Sequence, residues 1–280
     1  PVPIALSLAA FTILDVCPYR VVPRHLVLLH GQPGLAADWE PVIANLPASV
    51  SAIALDRPGH GSSALPGGGL QDNAAAVLSA LDARGIDRAV LVGHSYGGGV
   101  ALQVAASAPE RVEALVLLAS VGPDCLNFFD WLLAAPVAGA FASRIAWQLT
   151  PPFARAVLRF LSGKRHPNWQ VWGHAHWENG PLWRTFLAEQ KALVREAQEF
   201  ERLAASIRAP ALVVTDPRDP LVPFKTAEAL TGALPDARLH LIEKAGHHLP
   251  LRAPEEVASQ IAMFLEAAEF AGTAEVEPAG

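Results

Sequence analysis

Ala89-Val90-Leu91-Val92-Gly93-His94-Ser95-Tyr96-Gly97-Gly98-Gly99-Val100-Ala101-Leu102-Gln103-Val104-Ala105-Ala106 is the stretch on which the reading of this chain turns. It opens with four apolar residues, the pattern of a strand buried on both faces, and closes with a run suited to a helix. Between them lies G-x-S-x-G. A strand–turn–helix of this kind holds its serine in a strained backbone conformation, where side chains two residues before and after it would collide with their neighbours. Glycines at 93 and 97 remove that collision, and Gly98 and Gly99 follow them. The helix also aims its first amide N–H groups at the serine, which favours negative charge developing there. Ser95 is therefore the candidate nucleophile. The plainer alternative is a tight glycine turn with a solvent-facing serine.

Moving outward, further short runs rich in Val, Leu and Ile read as strands: His25–Leu29, Ser51–Leu55, Leu115–Leu118, Ala211–Val214 and Leu239–Ile242. Helix patterns lie between them, at Trp39–Leu46, Gln71–Arg84, Tyr96–Ala106, Phe224–Leu234 and Pro254–Glu269. Alternation of this kind predicts a mostly parallel, doubly wound α/β sheet, with ligands beyond the carboxyl ends of its strands. From about Val121 to Ser206 the alternation stops. Six of the seven tryptophans fall in that stretch, and prolines at 136, 151, 152, 167 and 181 divide it into short helices. Its last helix, about Leu182–Leu203, carries Glu189, Lys191, Arg195, Glu196, Glu199, Glu201 and Arg202, and is expected to present a solvated outer face.

A serine hydroxyl needs a base to take its proton, and the base needs an acid to fix its tautomer. His247 follows the run LHLI in a loop at a strand's carboxyl end, with His248 as its rival. Asp219 lies just past ALVV; Asp216 is the alternative within that loop and Asp124, past LVLL, a more distant one. The order Ser95, Asp219, His247 suits this architecture. Two oxyanion donors are expected, the backbone N–H of Tyr96 and that of Gln32 in His30-Gly31-Gln32-Pro33-Gly34, because Pro33 has no N–H. His30 and His94 are expected to shape the site without transferring the proton.

The 280 residues, 51% hydrophobic and 17% charged, exclude intrinsic disorder. A net charge of −6 gives no electrostatic reason to bind nucleic acid or anionic lipid. Cys17 and Cys125 have no metal-ligand spacing and make no disulfide framework, so a reducing, cytoplasmic setting is expected. Residues 1–14 carry no charge and read as one or two buried edge strands, a trimmed targeting or anchoring segment being the alternative.

HGQPG at 30–34, DRPGHGSS at 56–63, GHSYGG at 93–98, DPLVP at 219–223 and AGHHLPLRAPEEVA at 245–258 together resemble the α/β-hydrolase superfamily, over about residues 25–121 and 208–266. Within it the chain is similar to the capped esterases, lipases, cofactor-free peroxidases and carbon–carbon bond hydrolases. The resemblance implies an eight-stranded sheet with a helical cap, partitioned as core at 1–120 and 207–271, cap at 121–206 and a frayed tail at 272–280. It implies a triad of Ser95, Asp219 and His247, an oxyanion hole from Gln32 and Tyr96, and no cofactor or metal. Relatives that use aspartate as nucleophile, the haloalkane dehalogenases and epoxide hydrolases, are disfavoured by Ser95. Two departures stand out: Asp216 occupies a position that usually holds glycine, and the segment 121–206 matches no particular subfamily. The expected reaction is hydrolysis of a carboxylic ester or related acyl bond in a small, largely apolar molecule, through an acyl-enzyme on Ser95. A lactone, a thioester, a carbon–carbon bond next to a ketone, or a non-catalytic ligand-binding role are the alternatives. Phe128, Phe129, Trp131 and Trp147 are the candidate pocket lining.

Overall fold

In the computed structural model, which describes residues 25–135, 139, 141 and 182–273, parallel strands form one sheet in the order β2-β1-β3-β4-β5-β6. The strands are β1 (His25–Leu29), β2 (Ser51–Leu55), β3 (Ala89–His94), β4 (Val112–Leu118), β5 (Ala211–Thr215) and β6 (Ala237–Leu241). The helices are α1 (Glu40–Ile43), α2 (Leu70–Asp82), α3 (Tyr96–Ser107), α4 (Phe128–Ala134), α5 (Leu182–Glu196), α6 (Phe200–Ser206), α7 (Phe224–Ala233), α8 (Leu249–Arg252) and α9 (Pro254–Thr273).

Alternate residues along each strand face opposite sides of the sheet, so one apolar run supplies two cores. Leu26, Leu28, Val90, Val92, Val116 and Val214 pack with Val42 of α1, Leu249 of α8 and Ile261 of α9. Val27, Leu29, Leu91, Leu117 and Val213 pack with Val77 of α2, Val100 of α3, Phe200 of α6 and Leu230 of α7. Each such side chain taken fully out of water contributes about 1.5–3 kcal/mol, which is why the strand runs contain almost nothing polar.

The chain winds from β1 to β2 on one side and returns to β3 on the other, so β1 and β3 are neighbours with their connections diverging. That reversal opens a crevice beyond their carboxyl ends. The loop 30–34 leaves β1 there, and Ser95 leaves β3 there.

Four expectations are corrected or bounded. The sheet has six strands among the described residues where eight were expected; the stretch 1–14, expected to add one or two, lies outside them. The last strand is not buried on both faces: it is an edge among the described strands, with Leu239 and Leu241 36% and 41% exposed. The single helix expected at Leu182–Leu203 is broken by a 3-10 turn at Ala197–Glu199 into α5 and α6. Its face is also not uniformly solvated, since Glu189 is fully buried and Glu196 accepts a hydrogen bond from the Leu70 N–H at the start of α2 (3.1 Å). Among the described residues, 121–206 holds helices and no strand, and no described helix is long and apolar enough to cross a membrane.

Candidate active site

Ser95 has φ 53° and ψ −121°, a conformation L-residues avoid and one whose strain is of order 1–3 kcal/mol. Its neighbours hold it there. The Ser95 N–H donates to the Leu118 carbonyl (2.9 Å), and the Ser95 carbonyl accepts from Val121 (3.1 Å) and Gly98 (3.0 Å). The flanking glycines are required by contact: a Cβ on Gly97 would lie 2.2 Å from the Leu29 carbonyl oxygen, and one on Gly93 2.4 Å from that of Gly97.

His247 stands between the other two expected residues. Its Nε2 lies 3.0 Å from Ser95 Oγ and its Nδ1 2.8 Å from Asp219 Oδ2. The second carboxylate oxygen of Asp219 accepts the backbone N–H groups of Leu221 (2.8 Å) and Val222 (3.1 Å), so the turn DPLVP fixes the carboxylate and aims it. With Nδ1 donating to Asp219, Nε2 is free to accept the serine proton.

The rival residues have other work. Asp216 accepts from Gly246 N–H (2.7 Å) and Arg218 N–H (2.9 Å), tying the acid loop to the histidine loop. Burial pushes its carboxyl up, yet these donors outweigh burial and hold it below the usual range. Asp124 is exposed, on a positive-φ turn. His94 Nε2 donates to the His247 carbonyl (2.9 Å), and burial, with repulsion from His247 and His248, keeps its ring far below the ordinary histidine range and neutral. Burial, then repulsion from His247, lowers His248 to about 4.

Ser95, His247 and Asp219 open onto a cavity of about 640 Å³, lined also by Gln32, Tyr96, Phe128, Asp130, Phe186, Gln190 and Leu221. Of the expected pocket residues, Phe128 lines this cavity and Trp131 does not, its side chain being 56% exposed on the neighbouring surface of α4. The side chain of Phe129, and Trp147 altogether, lie outside the described residues. Gln32 does not extend its side chain freely into the space: its Nε2 donates to the Phe186 carbonyl of α5 (2.8 Å). Asp130 and Gln190 bond across the cavity wall (2.7 Å) and join α4 to α5. Among the described residues no group of three or more His, Cys, Asp or Glu could hold a metal ion.

Behind the cavity lies a charged cluster that the sequence reading missed. Arg57 and Glu189 form an ion pair, both essentially inaccessible, with His60 Nε2 3.3 Å from both Glu189 oxygens. Burial pushes the Glu189 carboxyl up, but the Arg57 charge and His60 outweigh it and hold it below the usual carboxylate range. Arg57 also stacks over the Tyr96 ring, 4.9 Å from its centre. The available signal was the arginine in DRPGHG, which no part of the catalytic reading used; Glu189 itself looked like one charge among eight on a helix.

A model of the family described as "Alpha/beta hydrolase family" matches residues 26–260. The chain is 33% identical over 243 residues to the dihydrolipoyllysine-residue acetyltransferase component of the acetoin cleaving system of Pseudomonas putida. That alignment covers 86% of this chain but spans only 63% of that relative's length. It is 32% identical over 257 residues to pimeloyl-[acyl-carrier protein] methyl ester esterase of Pectobacterium carotovorum, covering 86% of this chain and 94% of that protein. The solved structure of 2-hydroxy-6-oxo-6-phenylhexa-2,4-dienoate hydrolase from Rhodococcus superposes with a TM-score of 0.70 at 22% identity, covering 88% of this chain and 92% of that one, and shares the fold.

Proposed function

This chain belongs to the α/β hydrolase family, and we propose that it is a serine hydrolase that cleaves a carboxylic ester or related acyl bond of a small, largely apolar molecule. The observation that carries this reading is the unbroken line from Asp219 Oδ2 through His247 to Ser95 Oγ, at 2.8 and 3.0 Å, opening onto a cavity. In the proposed reaction His247 Nε2 takes the Ser95 proton as Oγ attacks the acyl carbon. The negative charge then falls on the former carbonyl oxygen, facing the backbone N–H groups of Gln32 and Tyr96. Collapse of the adduct expels the alcohol, which takes its proton from His247, and leaves an acyl group on Ser95. Water, deprotonated by the same histidine, attacks that acyl group and releases the acid. No cofactor enters this scheme.

An ester bond is favoured over the other acyl bonds by the 32% identical relative named for methyl ester cleavage. The segment 121–206 serves in this reading as the cap over a core of 1–120 and 207–271, and it sets the substrate's size. The test joins a fluorophosphonate probe to a p-nitrophenyl ester series from acetate to palmitate. Wild-type protein takes one probe adduct, at Ser95, and Ser95→Ala takes none and loses nearly all turnover while staying folded. Rates rise a few-fold per carbon, since each methylene withdrawn from water contributes about 0.8 kcal/mol, and then fall once the chain exceeds the enclosed volume. Equal turnover by a folded Ser95→Ala protein would refute the mechanism. Labelling of Ser95 with no activity on any ester would move the reading to lactones, thioesters or carbon–carbon bonds.

A further inference from the structure

We propose that Arg57 is a positioning residue for the oxyanion hole: paired with Glu189 of α5, its guanidinium clamps the Gly31–Gln32 peptide from behind and aims the Gln32 N–H at the nucleophile. This rests on the serine-hydrolase reading of the site.

The argument begins with one peptide plane. The carbonyl of Gly31 and the N–H of Gln32 belong to the same unit, which is trans, so the two groups point in opposite directions. Whatever holds the carbonyl therefore orients the N–H. The Gly31 carbonyl receives Arg57 Nη2 at 2.8 Å, and His30 Nδ1 lies 2.9 Å from it. The tautomer of His30 follows from its other nitrogen: Nε2 accepts the Arg57 backbone N–H (3.0 Å), which leaves the proton on Nδ1, where it is donated to Gly31. The preceding carbonyl, that of His30, is held by Arg57 Nε at 2.8 Å. Two successive carbonyls are thus fixed by one rigid, planar group. The peptide lies against the nucleophile, since a Cβ on Gly31 would sit 3.1 Å from Ser95 Cβ. Donors on the Gly31 carbonyl also draw electrons from the amide and make the Gln32 N–H a stronger donor.

Arg57 is itself held on every side. Its remaining donors go to Asn73 Oδ1 (2.9 Å), to Glu189 Oε1, and to Glu189 Oε2 at 3.5 Å. A lysine could not replace this fork, because an ammonium is a point charge on a flexible stem. Glu189 comes from α5, which also carries the Phe186 carbonyl bound by Gln32 and the Thr185 hydroxyl that donates to the Gly59 carbonyl (3.3 Å). The helix that lines the cavity therefore sets the oxyanion donor from both sides of Gln32.

Arg57→Lys and Glu189→Gln are compared with wild type in turnover of p-nitrophenyl butyrate and in affinity for butylboronic acid, whose tetrahedral adduct on a serine places an oxygen where the oxyanion forms. Removing a whole oxyanion donor lowers kcat by roughly 10²–10³; a donor left in place but loosened is expected to lower it by about 10- to 100-fold. Arg57→Lys should show that loss with KM within about twofold, and a loss of boronate affinity of similar size. Glu189→Gln should follow in the same direction with a smaller change. Folded variants that keep wild-type kcat and boronate affinity, or that raise KM alone, overturn the clamp. If Arg57→Lys and Glu189→Gln both fail to fold, Glu189→Asp, which keeps the counter-charge but draws it back by one methylene, decides the matter by the same two readouts. Wild-type protein that cleaves the ester and binds the boronate while the variants match it leaves the hydrolase reading standing; wild-type protein that does neither overturns both.

Discussion

Ser95, Asp219 and His247 are 7%, 9% and 8% exposed, whereas Phe128, Trp131 and Leu132 of α4 are 75%, 56% and 41% exposed. The first group and Phe128 line one cavity, and Trp131 and Leu132 lie beside it on the same helix as Phe128. The first hang on loops leaving β3, β5 and β6, each tied by hydrogen bonds to backbone N–H groups: the Ser95 N–H donates to the Leu118 carbonyl, those of Leu221 and Val222 to the Asp219 carboxylate, and that of Gly246 to the Asp216 carboxylate. The second ride on a seven-residue helix joined to α5 by the Asp130–Gln190 bond. In the proposed reaction the geometry of these three side chains is set by loops pinned at the carboxyl ends of the strands. The wall facing substrate is set by side chains on a helix whose outer face is in water, and such a wall can change without disturbing the chemistry.

The sharpest break of this contrast lies in the histidine pair. His247→Ala is expected to lower kcat by several orders of magnitude, because triad members act as a unit, while His248→Ala stays within about tenfold, since its ring bonds neither Ser95 nor Asp219. Steady-state kinetics on a p-nitrophenyl ester measures both, and the reverse order would mean that the wrong neighbour carries the proton. Next comes the acid. Asp219→Asn should keep the fold and lower kcat by about 10⁴, through the wrong imidazole tautomer. Asp216→Asn should leave kcat far less affected and show itself as a lower Tm, because it weakens the anchor on Gly246; a severe kcat loss there would undo the assignment.

Smaller effects test the wall. Phe128→Ala should raise KM a few-fold for longer acyl chains and leave acetate unchanged, whereas Trp131→Ala should alter neither; equal effects would place Trp131 on the substrate path. The smallest is a pH effect on stability. His248 titrates at about 4 in the folded chain and at 6.5 unperturbed. Below 6.5 the unfolded chain binds the proton more readily, so stability is full above that pH, falls toward pH 4 and then levels off. Replacing His248 by Gln should flatten that part of a Tm-against-pH curve, and an unchanged slope would remove His248 as its source.

The strands, the glycine-flanked turn at Ser95 and the loops that bring Asp219 and His247 to it were legible in the sequence because local rules impose them: two-sided burial makes an apolar run, a strained serine demands glycine at 93 and 97, and loops that follow parallel strands meet at one edge of the sheet. The role of Glu189 was not legible. Its partner Arg57 lies 132 residues away, and on a helix with many charges nothing local distinguishes the residue that turns inward. That Phe128 and not Trp131 borders the cavity was equally hidden, because two exposed aromatics on one short helix carry no sign of which of them meets it. The exposure of β6 was missed for the same reason, since a strand's place in the sheet order does not appear in its own residues.

The ion pair between residues 57 and 189 also limits how the molecule can be recombined. In the proposed reading the segment 121–206 is a cap that varies with the substrate and could be exchanged as a module. Transplanting a segment that lacks an acid at position 189 would leave the guanidinium of Arg57 sealed from water with no counter-charge, a defect that costs about 3–5 kcal/mol. Against a total stability of about 5–15 kcal/mol for a typical protein, that is enough to unfold many chimeras. A cap exchanged on this scaffold would therefore have to bring the acid with it, or position 57 would have to change at the same time.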